Sequence, residues 1–258
     1  MKLLTFYEDE SILAACVLRD PALPCGGSLA LHTNDDPTQI MSNRQMLSDQ
    51  IRIPLSEWCC AKQTHSADYR CVQKEDRGKG SRSMTDVIAQ CDALYTKEKG
   101  ILIGVFTADC IPLLLYDPAS RVSAAIHSGW PGTVRQITTH TVKHLMETQG
   151  LDPATTKVWI GPCIHQPSFQ IREDVITQIQ QLPFDTSPYL QFQPDGSALA
   201  DNVGLNVHML GALGIPKANI TVSPYDTFAD GDAFFSYRKN HTTGRHYSFI
   251  YQKPQATK

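Results

Sequence analysis

No apolar run in this chain approaches the roughly 18 residues that a helix needs to cross a bilayer, which excludes a helical membrane span. Basic charge is not in excess. The 23 Lys and Arg are outnumbered by 26 Asp and Glu, for a net charge of −3, so no electrostatic footprint for nucleic acid is present. The eight cysteines, Cys16, Cys25, Cys59, Cys60, Cys71, Cys91, Cys110 and Cys163, contain no C-x-x-C pair. Zinc-finger and thioredoxin-type motifs are thereby excluded, and any metal site must be assembled from distant parts of the chain. Repeats, low-complexity tracts and linker-like segments are also missing. The first ten residues, MKLLTFYEDE, turn acidic before the apolar core of a secretory leader could form. The expected compartment is therefore the cytoplasm, where thiols stay reduced.

What remains is an ordinary globular composition, 41% hydrophobic and 19% charged over 258 residues, long enough to bury a sizeable core. The mixture of strand-like and helix-like segments predicts an α+β architecture in a single domain over residues 1–258.

The most informative stretch runs over residues 104–132, GVFTADCIPLLLYDPASRVSAAIHSGWPG. Apolar runs over 101–106, 111–116 and 122–126 read as buried strands, the last two joined by the turn residues Asp117-Pro118-Ala119-Ser120. Cys110 precedes the second run and His127 ends the third. A thiol and an imidazole are thus placed at the ends of adjacent strands, and soft S and N donors held on rigid elements suit zinc. By itself the pair fits equally a buried apolar cysteine and a satisfied core histidine.

Elsewhere, Asp36 followed by Pro37 marks a helix start, with Asn43 and Arg44 on its face; their pattern alone places them in solvent. Residues 55–72 read as strand on either side of Lys62-Gln63-Thr64-His65. Residues 133–149 carry a helical apolar stripe with Gly150 as the stop, so that the free N–H groups at the start of this helix could face an anion near His127. His140 and His144 lie four apart on it and read as an exposed face. Residues 174–182 and 201–213 read as further helices, 191–200 as loop, and 157–160, 220–222 and 247–251 as strands.

The segments QTHSADYRCV, CDALYT, GVFTADCIPLLLYD, AAIHSGWPGT, IGPCI and FFSYRKN…TGR, in this order between Gly26 and Arg245, together resemble the laccase-domain family. Members have been described as copper-dependent polyphenol oxidases and as zinc-dependent purine nucleoside phosphorylases with adenosine deaminase activity. The resemblance implies mixed β-sheets packed together and flanked by helices. It implies metal ligands at His65, Cys110 and His127, and substrate or phosphate contacts at Asn43 and Arg44. The substrates it implies are adenosine, inosine, guanosine and methylthioadenosine, with phosphate as co-substrate. Two positions depart from the family pattern. Pro131 stands where an arginine is usual, which throws phosphate holding onto Arg44, Arg135 or Arg238, and Ser223 stands where a cysteine is common.

A His, Cys, His set leaves tetrahedral zinc one open position, the pattern of a catalytic site. Zinc-bound water has a pKa near ~7, and nucleobase deaminases use such a water with a separate acidic group. Asp109, beside Cys110, is the acidic candidate, either moving protons or orienting a histidine ligand. Three alternatives stand beside this reading. One is a copper oxidase, although one trio falls short of a multi-copper relay. Another is a hydrolase of a cell-wall precursor with Cys110 as nucleophile and His127 as base. The last is a non-catalytic metal-binding protein.

Overall fold

The structure, a computed structural model, describes residues 1–33 and 35–254. Two sheets lie face to face. The first has the strand order Leu3–Glu8, Ile12–Val17, His246–Gln252, Leu102–Thr107 and Trp58–Cys59. The second has the order Ile220–Val222, Lys157–Ile160, Ile111–Asp117, Val122–Ser128, Ala93–Thr96 and Tyr69–Cys71. Both are mixed: Trp58–Cys59 joins its neighbour in parallel, as do Ile220–Val222 and Tyr69–Cys71.

The uninterrupted apolar runs follow from burial on both faces. Leu114 and Ala125 point into the layer between the sheets, with Ile103, Val105 and Ile250 from the other sheet. Their neighbours Leu113, Leu115, Ala124 and Ile126 point outward under the helix Ile137–Gln149, against Val142 and Leu145. On the far side, Phe106, Tyr247 and Phe249 pack beneath Leu47 of the helix Pro37–Ile51. The layers are therefore helix, sheet, sheet, helix, as the family resemblance implied. A third, small sheet of Gln170–Ile171, Ala198–Ala200 and Leu190–Phe192 packs with the helix Glu173–Gln180.

Four expectations need correction. The helix over 133–149 is broken: Trp130–Val134 and Ile137–Gln149 are separate, and Gln136 sits at φ 57 between them. Thr133 and Thr138 both bond to Asn206 of the helix Asn202–Ala212, which pins each piece to a common neighbour. The long helix therefore begins at Ile137, and the piece that follows His127 is the short helix Trp130–Val134. Residues 191–200 are a hairpin rather than a loop, closed by Gln193 N–H to Ser197 O at 2.8 Å and by Asp195 accepting from Ser197. The region 55–72 yields only Trp58–Cys59 and Tyr69–Cys71 as strand, leaving His65 on a loop. Asn43 and Arg44, placed in solvent by their pattern, are buried, Arg44 to 1% exposure.

Candidate metal centre

Cys110 precedes the strand Ile111–Asp117, and His127 lies one residue from the end of its hairpin partner Val122–Ser128, opposite Pro112. The hairpin delivers both side chains to one end of the second sheet. His65 comes from the loop between Trp58–Cys59 and Tyr69–Cys71, at φ 58. The donor atoms of His65, Cys110 and His127 all lie within 4.8 Å of one another, and no other His, Cys, Asp or Glu group of this kind occurs among the described residues. Cys110 Sγ is 3.7 Å from His65 Nε2. Tetrahedral zinc with ordinary bond lengths separates a sulfur from a nitrogen ligand by about 3.6 Å, so this sulfur–nitrogen pair already stands at the spacing the ion requires.

Two features of the chain specify this spacing. The first is Gly129, whose backbone crosses directly over the trio. A Cβ there would lie 2.8 Å from Cys110 Sγ and 2.8 Å from His65 Cδ2, inside van der Waals contact, so only glycine leaves the donors room.

The second is Asp92, just before the strand Ala93–Thr96. Its Oδ1 lies 2.8 Å from His127 Nδ1, which leaves Nε2 free for a metal. The same carboxylate accepts the backbone N–H groups of Thr64, His65 and Ser66 at 3.1, 3.0 and 2.7 Å. One buried anion therefore orients one histidine ligand and fixes the loop carrying the other. Gln63 continues the anchoring: its side chain pairs with both the N–H and the C=O of Phe106, and Arg135 Nη1 donates to His65 O at 2.6 Å. Asp92 and Gly129 carry the centre's second layer and were missed in the sequence. The signal was a lone carboxylate opening a buried strand and a glycine two residues after a ligand.

The electrostatics favour a cation. Burial opposes ionisation of Cys110, yet the imidazoles of His127 and His65 draw its thiol down to about 6. Burial likewise opposes charge on His127, but Cys110 and then Asp92 bring it up to about 9. Burial would raise the Asp92 carboxyl, and its bonds to His127 and Ser66 hold it well below the usual range instead. The protein alone thus favours a thiolate beside an imidazolium, an arrangement in which a metal ion would take the place of the imidazolium proton.

Asp109 orients neither histidine. At φ 81, its Oδ1 accepts from the Thr227 hydroxyl at 2.7 Å and its Oδ2 from Arg238 N–H at 2.6 Å. It fastens the C-terminal loop to the site, and the orienting role belongs to Asp92. Arg44 is likewise displaced from its expected role. Its Nε donates to Leu29 O and its Nη1 to Gly80 O and Ser81 O, each at 2.7 Å, while Asn43 Nδ2 binds Pro24 O and Ser28 O. Both side chains clamp loops, and neither borders the cavities at the metal centre.

Those cavities meet at the trio. One, of about 440 Å³, is walled by Trp130, Pro131, Ile164 and Phe169, with Asp109, Asn202 and Arg238 at its border. Arg238 stacks on Phe169, 5.5 Å from the ring centre. The other, of about 330 Å³, is bordered by His32, Gln63, Thr107 and Arg245. Arg245 lies over Tyr237, which borders both. Each volume falls in the range of small-molecule sites. Ser223 is buried away from both, with its hydroxyl near Tyr225 N–H.

Residues 25–253 match the family described as multi-copper polyphenol oxidoreductase laccase. Relatives named purine nucleoside phosphorylase YlmD, from Geobacillus stearothermophilus and Bacillus subtilis, are each 32% identical to the chain. The alignments cover 89% of the chain and 85% of the first relative, and 86% of the chain and 81% of the second. The crystal structure of YlmD from Geobacillus stearothermophilus superposes with a TM-score of 0.89 at 30% identity, covering 94% of this chain and 92% of that one. The Bacillus licheniformis hypothetical protein YfiH superposes equally well, with a TM-score of 0.89 at 28% identity over 94% and 93% of the two chains.

Proposed function

This chain belongs to the multi-copper polyphenol oxidoreductase laccase family, and from that premise we propose that it is a zinc-dependent purine nucleoside phosphorylase with adenosine deaminase activity. The relatives' names support a nucleoside phosphorylase-like enzyme. The observation that carries the reading is the pair of unlike cavities joined at one His, Cys, His centre. Trp130, Ile164 and Phe169 line the larger cavity with apolar surface that suits a flat base. Arg245 supplies a cation to the smaller cavity, and the Thr107 hydroxyl there is buried without a hydrogen-bond partner, as a phosphate subsite requires.

In phosphorolysis an oxygen of phosphate bonds to C1′ of the ribose as the C1′–N9 bond breaks, and the purine leaves with the electron pair and takes up a proton. Arg245 would hold phosphate on one side of the trio while the aromatic cavity holds the purine on the other. The two reactants would then meet in a fixed orientation. Asp109 borders the base cavity beside Cys110, where its carboxylate would relay a proton from solvent to a purine nitrogen. Arg238 closes the same cavity from the C-terminal loop. Zinc, when held by His65, Cys110 and His127, supplies Lewis acidity and the activated water that deamination uses.

Copper chemistry is less well served. Among the described residues there is one candidate cluster where an electron relay needs several, and no methionine borders either cavity to act as an axial ligand. The lowered thiol of Cys110 also suits a nucleophile, and metal analysis separates the two. The purified protein is expected to carry about one zinc per chain and Cys110→Ala almost none. Undiminished zinc in Cys110→Ala would sink the assignment, and rapid alkylation of Cys110 in protein purified without metal would favour the thiol hydrolase.

A further inference from the structure

Most of the polar side chains that border the larger cavity are explained by the metal centre or lie on the open rim. His65 and Cys110 are ligands, Asp109 ties down the C-terminal loop, and Arg238 and His241 are exposed. Asn202 is different. It is only 5% exposed, it borders this cavity, and its Oδ1 is buried without a hydrogen-bond partner.

The helix does not need this side chain. Asn202 is the first residue of the helix Asn202–Ala212, and the N-cap is made by Asp201, which accepts the N–H of Gly204 at 2.7 Å. The backbone carbonyl of Asn202 is already used by Asn206 Nδ2. A buried amide with an unanswered acceptor is costly to a fold unless something binds it. Beside it stand Trp130, Phe169 and Ile164, which supply flat apolar contact and no hydrogen-bonding specificity of their own.

We infer that Asn202 is the specificity-determining residue that reads the hydrogen-bonding edge of the purine. The inference rests on the reading above that this cavity takes the base. A carboxamide is suited to the task because it carries a donor and an acceptor side by side and pairs with N6 and N7 of adenine in a two-bonded contact. A half-turn about χ2 exchanges the two ends. One orientation donates to O6 or N7 of a 6-oxopurine; the other accepts from the N6 amino group of a 6-aminopurine. A single residue thereby accommodates inosine-type and adenosine-type substrates, and pyrimidines, which lack the N7 edge, fit it poorly.

The test uses the zinc-loaded wild type, Asn202→Leu and Asn202→Asp, with inosine and adenosine phosphorolysis followed by chromatography. Binding of free hypoxanthine and adenine is followed by calorimetry, and thermal midpoints report folding. Asn202→Leu should raise KM for both nucleosides by about 5- to 150-fold, the span of one two-bonded base contact, with kcat changed far less. Asn202→Asp keeps the shape and acts only as an acceptor. It should shift the preference toward adenosine over inosine by about 10-fold or more, and it serves as the decisive variant if the leucine protein does not fold. Wild-type turnover with both variants within about 2-fold of it would overturn the inference and leave the phosphorylase reading standing. Base binding without phosphorolysis, with Asn202→Asp still separating adenine from hypoxanthine, would uphold the inference and overturn the reaction. Neither turnover nor base binding by the wild type would remove both.

Discussion

At residue 129 the difference between glycine and alanine is one methyl group placed 2.8 Å from a ligand sulfur and 2.8 Å from a ligand ring. The backbone there has φ −69, which any residue adopts, so the whole effect of Gly129→Ala should fall on the donors. Zinc affinity is expected to drop by at least about 10-fold in a chelator competition while the far-ultraviolet spectrum is unchanged. An unaltered affinity would mean that the trio is not the metal site. Asp92→Asn makes a complementary case. It preserves volume but removes the charge that His127 and three backbone N–H groups share. Losses of about 10- to 100-fold in metal affinity are usual when such partners are removed, and a change under 2-fold would show that the loop holds His65 without help.

The three candidate ligands were legible to different degrees. Cys110 and His127 show in the sequence because each interrupts an apolar strand at its end. His65 does not, because it sits on a loop without periodicity, and only the resemblance identified it. Asp92 escaped notice because a carboxylate opening a strand looks like any turn residue until the donors that converge on it are counted.

Among the elements, the helix Pro37–Ile51 shows why a pattern of polar and apolar positions misplaces Arg44. Helical periodicity separates the side facing the sheet from the rest, but it cannot tell solvent from loops folded over that side. The chain from Leu29 and the turn around Gly80 and Ser81 cover Arg44 and supply three carbonyl acceptors. Arg44→Met should therefore cost about 3 kcal/mol in urea unfolding, since it strands buried carbonyls, while the KM for phosphate in surviving protein stays within about 2-fold. A stable variant with a raised phosphate KM would return Arg44 to the site. Arg245→Gln carries a different expectation: a stability loss of about 1 kcal/mol from its contacts to Thr243 O and Gly244 O, zinc retained, and the phosphate KM raised about 10- to 100-fold, the worth of a charge-assisted contact. If the phosphate KM does not move, the smaller cavity is not the phosphate subsite. The strands of the two sheets were the easiest elements to foresee because burial on both faces makes them continuously apolar. The break at Gln136 was not, since threonines that bond to Asn206 across 68 and 73 residues leave no local trace.

At the scale of the whole molecule, two sheets packed face to face bring a hairpin end, a loop from the first sheet's side and the C-terminal loop to one place. The C-terminal loop is tied to the hairpin by Asp109 through Thr227 and Arg238, so the wall contributed by Tyr237 and Arg238 is positioned by the same residue pair that carries the thiol ligand. This geometry opens two cavities, one walled by Trp130 and Phe169 with Arg238 at its border and one bordered by Phe106 and Arg245, and puts the candidate metal donors at their junction. The most direct measurement is product analysis of inosine incubated with the zinc-loaded protein, with and without phosphate. Hypoxanthine and ribose 1-phosphate should appear in equal amounts, only when phosphate is present, and both should vanish in Cys110→Ala. Hypoxanthine released at the same rate without phosphate, or turnover undiminished in Cys110→Ala, would contradict the account.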